Sequence, residues 1–189
     1  DPGGLGEVLD AHDRIRWVQL PWAGIAPYVD VVRAHAERTW TCGKGVYAEP
    51  VAEHALALGL AGLRGLDRYA RAGRWTAPRG RNLLGARVTI VGGGGIAESL
   101  LRLLGPFGCE VTVVRRSAAP LAGAARVLPP EELDEAFTGA LLVVLALPLT
   151  PRTDRLVDRR RLDRLAEGAC LVNVARGRHV VTDDLVAAL

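Results

Sequence analysis

The chain has no methionine, three cysteines and few aromatics, which make up 5% of its 189 residues. The thiols of Cys42, Cys109 and Cys170 are odd in number and widely spaced. They form neither a disulfide framework nor a zinc-ligand pattern, so reduced thiols in a cytoplasmic protein are expected. No apolar run reaches the roughly 18 residues of a membrane span and no secretory signal opens the chain, so no membrane partner is expected. Lysine is almost absent too: Lys44 stands alone, and every other cation is arginine. The net charge of +3 is mildly basic. Its densest run, Arg159-Arg160-Arg161, is interleaved with acids in DRRRLDR, which suits a solvated helix face and gives no reason to expect a nucleic-acid partner. The missing methionine, and a helical pattern that begins in TDDLVAAL and stops, imply a piece of a longer protein.

What is present centres on residues 84–117. Val88 to Val91 is a short β-branched run suited to a buried strand, Ile96 to Leu104 has apolar residues at helical spacing, and Val111 to Val114 is a second strand. Between the first strand and the helix lie four glycines. They fit the G-x-G-x-x-G/A pattern of a dinucleotide-binding turn as Gly92, Gly94 and Ala97. Gly92 allows the turn, Gly94 admits a pyrophosphate to the backbone, and small Ala97 lets the helix lie close to the sheet. The amides of Gly95 and Ile96, at the positive end of the helix, would face the phosphates. A glycine turn of purely structural use is the alternative.

The end of the second strand distinguishes two nucleotides. NAD binders place an acid there for the ribose 2′-hydroxyl. This chain has Arg115, Arg116 and Ser117. Guanidinium groups and a hydroxyl suit a 2′-phosphate, which a carboxylate would repel, so NADP is favoured over NAD. A solvated strand end would explain the same residues without a ligand.

Along the rest of the chain, Ile15 to Leu20 reads as a strand, Pro21 to Gly24 as a turn, and Tyr28 to Ala36 as a helix. Residues 39–49 suit a strand and loop, and Pro50 starts a long helix to about Ala72. Gly59, Gly62 and Gly65 within it point to close packing. Further strands are expected at Arg126 to Leu128, Leu141 to Leu147 and Cys170 to Val174, with helices from Pro130, over Asp158 to Ala166, and capped by Thr182. Strands alternating with helices give an α/β fold, a doubly wound parallel sheet of the Rossmann kind with ligands off the carboxyl ends of its strands.

Four segments together resemble the D-isomer-specific 2-hydroxyacid dehydrogenase family: VAEHALAL at 51–58, VGGGGIA at 91–97, LALPLTPRT at 145–153 and LVNVARGRHVV at 171–181. Arg115-Arg116-Ser117 is most similar to the NADPH-using glyoxylate/hydroxypyruvate reductase branch. The resemblance implies part of a flavodoxin-like substrate domain over 1–45, a cofactor domain over 46–189, and a homodimer paired through the cofactor domains. It implies hydride transfer between the nicotinamide and a small 2-oxo or 2-hydroxy acid, with Arg176 as the catalytic arginine that grips the substrate. Trp22, Ala23 and Gly24 match a loop whose amides meet the substrate carboxylate, though a plain turn would also explain them. Leu147, Pro148 and Thr153, with Val174 and Ala175, match the borders of the cofactor site; a proline turn with a threonine cap explains the first three almost as well. The family's glutamate and histidine would lie past Leu189. His54 is read as structural, and His12, His35 and His179 belong to no motif. Two other readings stay open on the same residues: a nucleotide sensor similar to corepressors of this fold, and a turn for another nucleotide-like cofactor such as methyltransferases use.

Overall fold

The computed structural model describes residues 1–117 and 119–189. It divides into two compact units, Asp1–Ala48 and Glu49–Leu189.

The first unit holds helix α1 (Pro2–Ala11), strand β1 (Trp17–Leu20), helix α2 (Val29–Ala34) and strand β2 (Thr39–Cys42). α1 has no counterpart in the sequence reading. Its signals were at the chain's edge: Pro2 opens it, and Asp1 caps it by accepting from the Gly4 amide at 2.9 Å. β1 and β2 pair in parallel, from Trp17 beside Thr39 to Leu20 beside Cys42. Val18 and Leu20 alternate inward onto Leu9 of α1, with Val31, Val32 and Trp40 around them. Arg38, nearly buried, donates to the carbonyls of Leu9, His12 and Ile15, which ties the end of α1 to the start of β1.

The second unit begins with α3 (Ala48–Arg64), which keeps its first residue in the other unit, and α4 (Leu66–Arg71). The expected single helix to Ala72 is broken at Gly65, whose φ of 61° is left-handed. Gly59 and Gly62 are close-packing sites as expected. A Cβ on Gly59 would stand 3.1 Å from both Leu142 methyls, and one on Gly62 would stand 2.7 Å from Cys170 Sγ.

The sheet follows: β3 (Arg87–Val91), α5 (Gly95–Leu104), β4 (Glu110–Val114), β5 (Arg126–Leu128), α6 (Leu133–Phe137), β6 (Leu142–Leu145), α7 (Arg159–Leu162), β7 (Cys170–Asn173) and α8 (Thr182–Ala188). All five strands are parallel, in the order β5-β4-β3-β6-β7. The order reverses between β3 and β6, which is where an open α/β sheet leaves a crevice. Its strands are apolar on both faces because both faces are covered. Val88, Ile90, Val111, Val113, Leu142 and Val144 pack with α3 and α5 residues such as Ala52, Ala55, Leu100 and Leu104. Val91, Val114, Val143 and Leu145 pack on the other side with Leu133, Ala136 and Phe137 of α6. Full burial of each such aliphatic side chain stabilises the fold by about 1.5–3 kcal/mol. This is the doubly wound Rossmann architecture expected.

Two local expectations are corrected. Thr182 begins α8 and caps nothing, since the N-cap position falls on Val181 without a side-chain bond. The helix expected over Asp158–Ala166 shrinks to one turn. Asp158 caps it, and Arg161 is drawn partly inward to Asp134 at 2.8 Å and to the Leu156 carbonyl, so that arginine is more than a solvated residue. No described helix is long and apolar enough to cross a membrane.

Candidate active site

The strand registers bring four segments to one edge of the sheet. Val91 stands beside Val114 and Leu145, and Leu145 beside Asn173, so the residues that follow each strand leave the sheet together. Those residues are Gly92–Ala97 after β3, Arg115–Ser117 after β4, Leu147–Thr153 after β6, and Val174–Arg176 after β7.

The glycines divide their labour. Gly92 has φ of 119°, and a Cβ there would collide with the Ala146 carbonyl. A Cβ on Gly93 would collide with the Arg115 side chain. Gly94 is different. Its φ of −98° and ψ of −169° suit any residue, and a Cβ would meet nothing within 4 Å. Neither backbone nor packing asks for glycine at 94, and the open space beside it leaves room for a ligand to approach the main chain. Gly94 is the N-cap of α5 and carries no capping side chain. The first bond back runs from the Glu98 amide to Gly94 O at 3.1 Å, leaving the amides of Gly95, Ile96 and Ala97 without a helical partner. A pyrophosphate fits this cradle: open space, free donors and the positive end of a ten-residue helix. Ala97 is fully buried, as its packing role required.

The pair after β4 also divides. Arg115 is half-buried over Gly93, and its guanidinium donates to Ser117 O at 2.9 Å and Ala119 O at 2.7 Å. It therefore shapes the loop. Arg116 and Ser117 are exposed, and among the described residues no acid forms an ion pair with either arginine. The sequence did not separate these roles; nothing in two adjacent arginines says which one the loop will use.

After β7, Asn173 organises the turn. Its side-chain amide donates to Arg176 O at 2.8 Å, and its side-chain oxygen accepts from the Ala175 amide at 3.0 Å. Arg176 is exposed and extended, and among the described residues its guanidinium donates only to the Ala175 carbonyl, at 2.8 Å. No described carboxylate pairs with it, so the surface ion pair that would have made it merely structural is not formed. Among the described residues, four of its five donors have no partner.

After β6, Thr153 Oγ1 donates to Pro148 O and accepts from the Thr150 amide, both at 2.8 Å. This closes the Leu147–Thr153 loop on itself, with no helix for Thr153 to cap. His179, outside every motif, is fully buried, with its ring between Thr153 O and Leu147 O. Sequence reading missed it; a lone histidine between valines and arginines carries no periodic signal, and only the loop it meets shows its use. His54 is exposed on α3. Trp22, Ala23 and Gly24 belong to the first unit, where their amides donate to no backbone carbonyl among the described residues. Trp22 is 60% exposed, with its ring 6.0 Å from that of Tyr47.

Residues 54–189 match the sequence profile described as D-isomer specific 2-hydroxyacid dehydrogenase, NAD binding domain. The chain belongs to this family. Over 99% of its length it is 30% identical to a 2-ketogluconate reductase of Gluconobacter oxydans. Over 97% it is 32% identical to a glyoxylate reductase of Thermococcus kodakarensis. Those alignments cover 62% and 59% of the two relatives, so the chain spans about three fifths of their length. Among solved structures, a family member from Aeromonas salmonicida superposes on the whole chain with a TM-score of 0.88 at 26% identity, over 62% of its own length. Another, from Xanthobacter autotrophicus, was solved with NADPH and MES; it matches 73% of this chain and 58% of its own at 33% identity and a TM-score of 0.65.

Proposed function

We propose that the protein carrying this chain is an NADPH-dependent reductase of small 2-oxo acids of the glyoxylate or hydroxypyruvate type. The observation that carries this reading is the pairing, at one sheet edge, of an acid-free Arg116-Ser117 after β4 with an unpartnered Arg176 after β7. The amides of Gly95, Ile96 and Ala97 hold the pyrophosphate, and Arg116 and Ser117 hold the 2′-phosphate on a loop braced by Arg115. Leu147 and Pro148, with Val174 and Ala175, border the nicotinamide half. When bound, the nicotinamide supplies the hydride. Arg176 grips the substrate carboxylate through two parallel hydrogen bonds and polarises the neighbouring carbonyl. Trp22, Ala23 and Gly24 of the first unit keep the substrate-binding role that the family resemblance implies. The proton is assigned to the family's histidine and glutamate, which the resemblance places past Leu189.

The deciding assay is oxidation of NADPH against NADH by the full-length protein with glyoxylate and hydroxypyruvate. Faster turnover with NADPH is expected. Failure to reduce any 2-oxo acid would overturn the reductase reading and leave the nucleotide sensor and the turn for another nucleotide-like cofactor.

A cytoplasmic homodimer paired through the cofactor unit completes the reading. It is supported by large apolar side chains left uncovered in one stretch of that unit: Leu66 at 53%, Trp75 at 94% and Leu84 at 68% exposed. Light scattering of the full-length protein and of Trp75→Asp tests it, with a dimer expected for the first and a weakened one for the second.

A further inference from the structure

His179 is a fully buried titratable side chain to which the proposed chemistry gives no task. Its Nδ1 lies 2.7 Å from Thr153 O and its Nε2 3.2 Å from Leu147 O. These carbonyls are the two ends of the loop that leaves β6. A single ring therefore lies against both ends of that loop, and the nitrogen that carries the proton in a neutral ring donates to one of them, the shorter contact being to Thr153 O.

The same residue ends the short helical turn Gly177–His179, which starts directly after Arg176. The His179 amide donates to Arg176 O at 3.1 Å, and the His179 carbonyl accepts from the Val157 amide at 2.8 Å. A further side-chain link between the segments among the described residues, Arg178 with Asp154 at 2.6 Å, has its arginine 71% exposed. Exposed pairs of that kind hold weakly. Main-chain bonds from Arg155 N to Arg178 O at 2.8 Å and from Val181 N to Val157 O at 2.9 Å also join the segments past residue 154, and the buried ring adds the side-chain tie that reaches back to Thr153 and Leu147 where solvent does not compete.

We propose that His179 is a positioning residue, which locks the Leu147–Thr153 loop to the arginine turn and so sets where Arg176 stands relative to the cofactor's reacting end. The proposal rests on the reading of Arg176 and of that loop given above. Hydride transfer needs the donor and acceptor carbons held at a defined separation, and small displacements of the groups that hold them cost rate far more than affinity. The pyrophosphate and 2′-phosphate contacts leave β3 and β4 and do not pass through His179, so they are unaffected.

The test uses the full-length protein with His179→Phe, which keeps a ring of similar size and removes its hydrogen bonding to the two carbonyls, and His179→Gln, which restores an amide donor. Hydrogen exchange at the Thr153, Arg155 and Val157 amides is expected to speed up in His179→Phe by about tenfold or more. Its kcat with glyoxylate is expected to fall by about tenfold or more, with NADPH affinity held within about threefold, and His179→Gln to recover part of both losses. Unchanged exchange overturns the tie. Faster exchange with kcat and KM within about twofold of the parent overturns the positioning role. If His179→Phe does not fold, the same two criteria apply to His179→Leu, which also lacks a donor. An inactive parent protein sinks the reductase reading itself, whereas an active parent with fully active variants sinks only this inference.

Discussion

Gly92 and Ala146 approach so closely that no side chain fits between them: a Cβ at 92 would overlap the Ala146 carbonyl, on a backbone whose φ of 119° already excludes most L residues. Two steps along, Gly94 has ordinary backbone angles and open space beside it. The two glycines thus make opposite predictions. Gly92→Ala is expected to destabilise the fold by about 3 kcal/mol or more, because strain and overlap add. Gly94→Ala is expected to leave stability within about 0.5 kcal/mol of the parent while weakening NADPH binding about tenfold or more. Urea unfolding and fluorescence titration read the two effects separately. A Gly94→Ala protein that binds NADPH normally would remove the cradle from the proposal.

The arginine pair gives a second contrast. Arg116→Ala is expected to raise KM for NADPH by about tenfold to a hundredfold and leave KM for NADH nearly unchanged, since it removes a charged contact that only the 2′-phosphate makes. Arg115→Ala frees the Ser117 and Ala119 carbonyls that its guanidinium holds. Losing that brace disorders the loop and should raise both constants, by less. Equal effects of the two substitutions on the NADPH-to-NADH preference would show that the roles are not divided.

Much of this was legible in the chain because it is written in local patterns. β-branched runs bounded by glycine and proline gave the five sheet strands to within about two residues, and the G-x-G-x-x-A spacing gave the turn. The helix expected from Pro130 is there, ending as α6. The extent of α7 was less legible, because it is held by burial of Leu162 and by Asp158 capping, and not by a long periodic stretch. The break at Gly65 was hidden because a glycine inside a helical pattern reads the same whether it packs, like Gly59, or turns left-handed. His179 was out of reach for a further reason: its partners are main-chain carbonyls far back in sequence, and backbone atoms leave no residue-type signature.

Arg176 supports a sharper kinetic prediction than any other side chain at the edge. Its guanidinium donates only to Ala175 O, so removing it breaks no structural pair among the described residues. Arg176→Ala is expected to fold with an unchanged melting temperature and unchanged NADPH affinity, and to lose about a hundredfold or more in kcat/KM for glyoxylate. Arg176→Lys should recover little, because a single ammonium cannot make the parallel pair. Loss of NADPH binding in Arg176→Ala would place the residue on the cofactor and not on the substrate.

Alkaline stability offers a test independent of any ligand. Burial raises the thiol pKa of both Cys109 and Cys170 above the ordinary 9.0, partly offset at Cys109 by a hydrogen bond with the Ala86 backbone. A group whose folded pKa is raised contributes stability that is intact below its unfolded value and is lost as pH climbs past that value toward the folded one. The chain should therefore weaken as pH rises above about 9. The background is unusually quiet, because the chain carries one lysine and three tyrosines, and its arginines stay charged throughout. Urea midpoints at pH 8 and 10 are expected to differ less in a Cys109→Ala/Cys170→Ala protein than in the parent. Replacing both thiols also costs packing, which shifts both midpoints together, so the difference between them is the quantity that reports titration. If the double variant declines as steeply as the parent, the half-buried thiols do not set the alkaline limb.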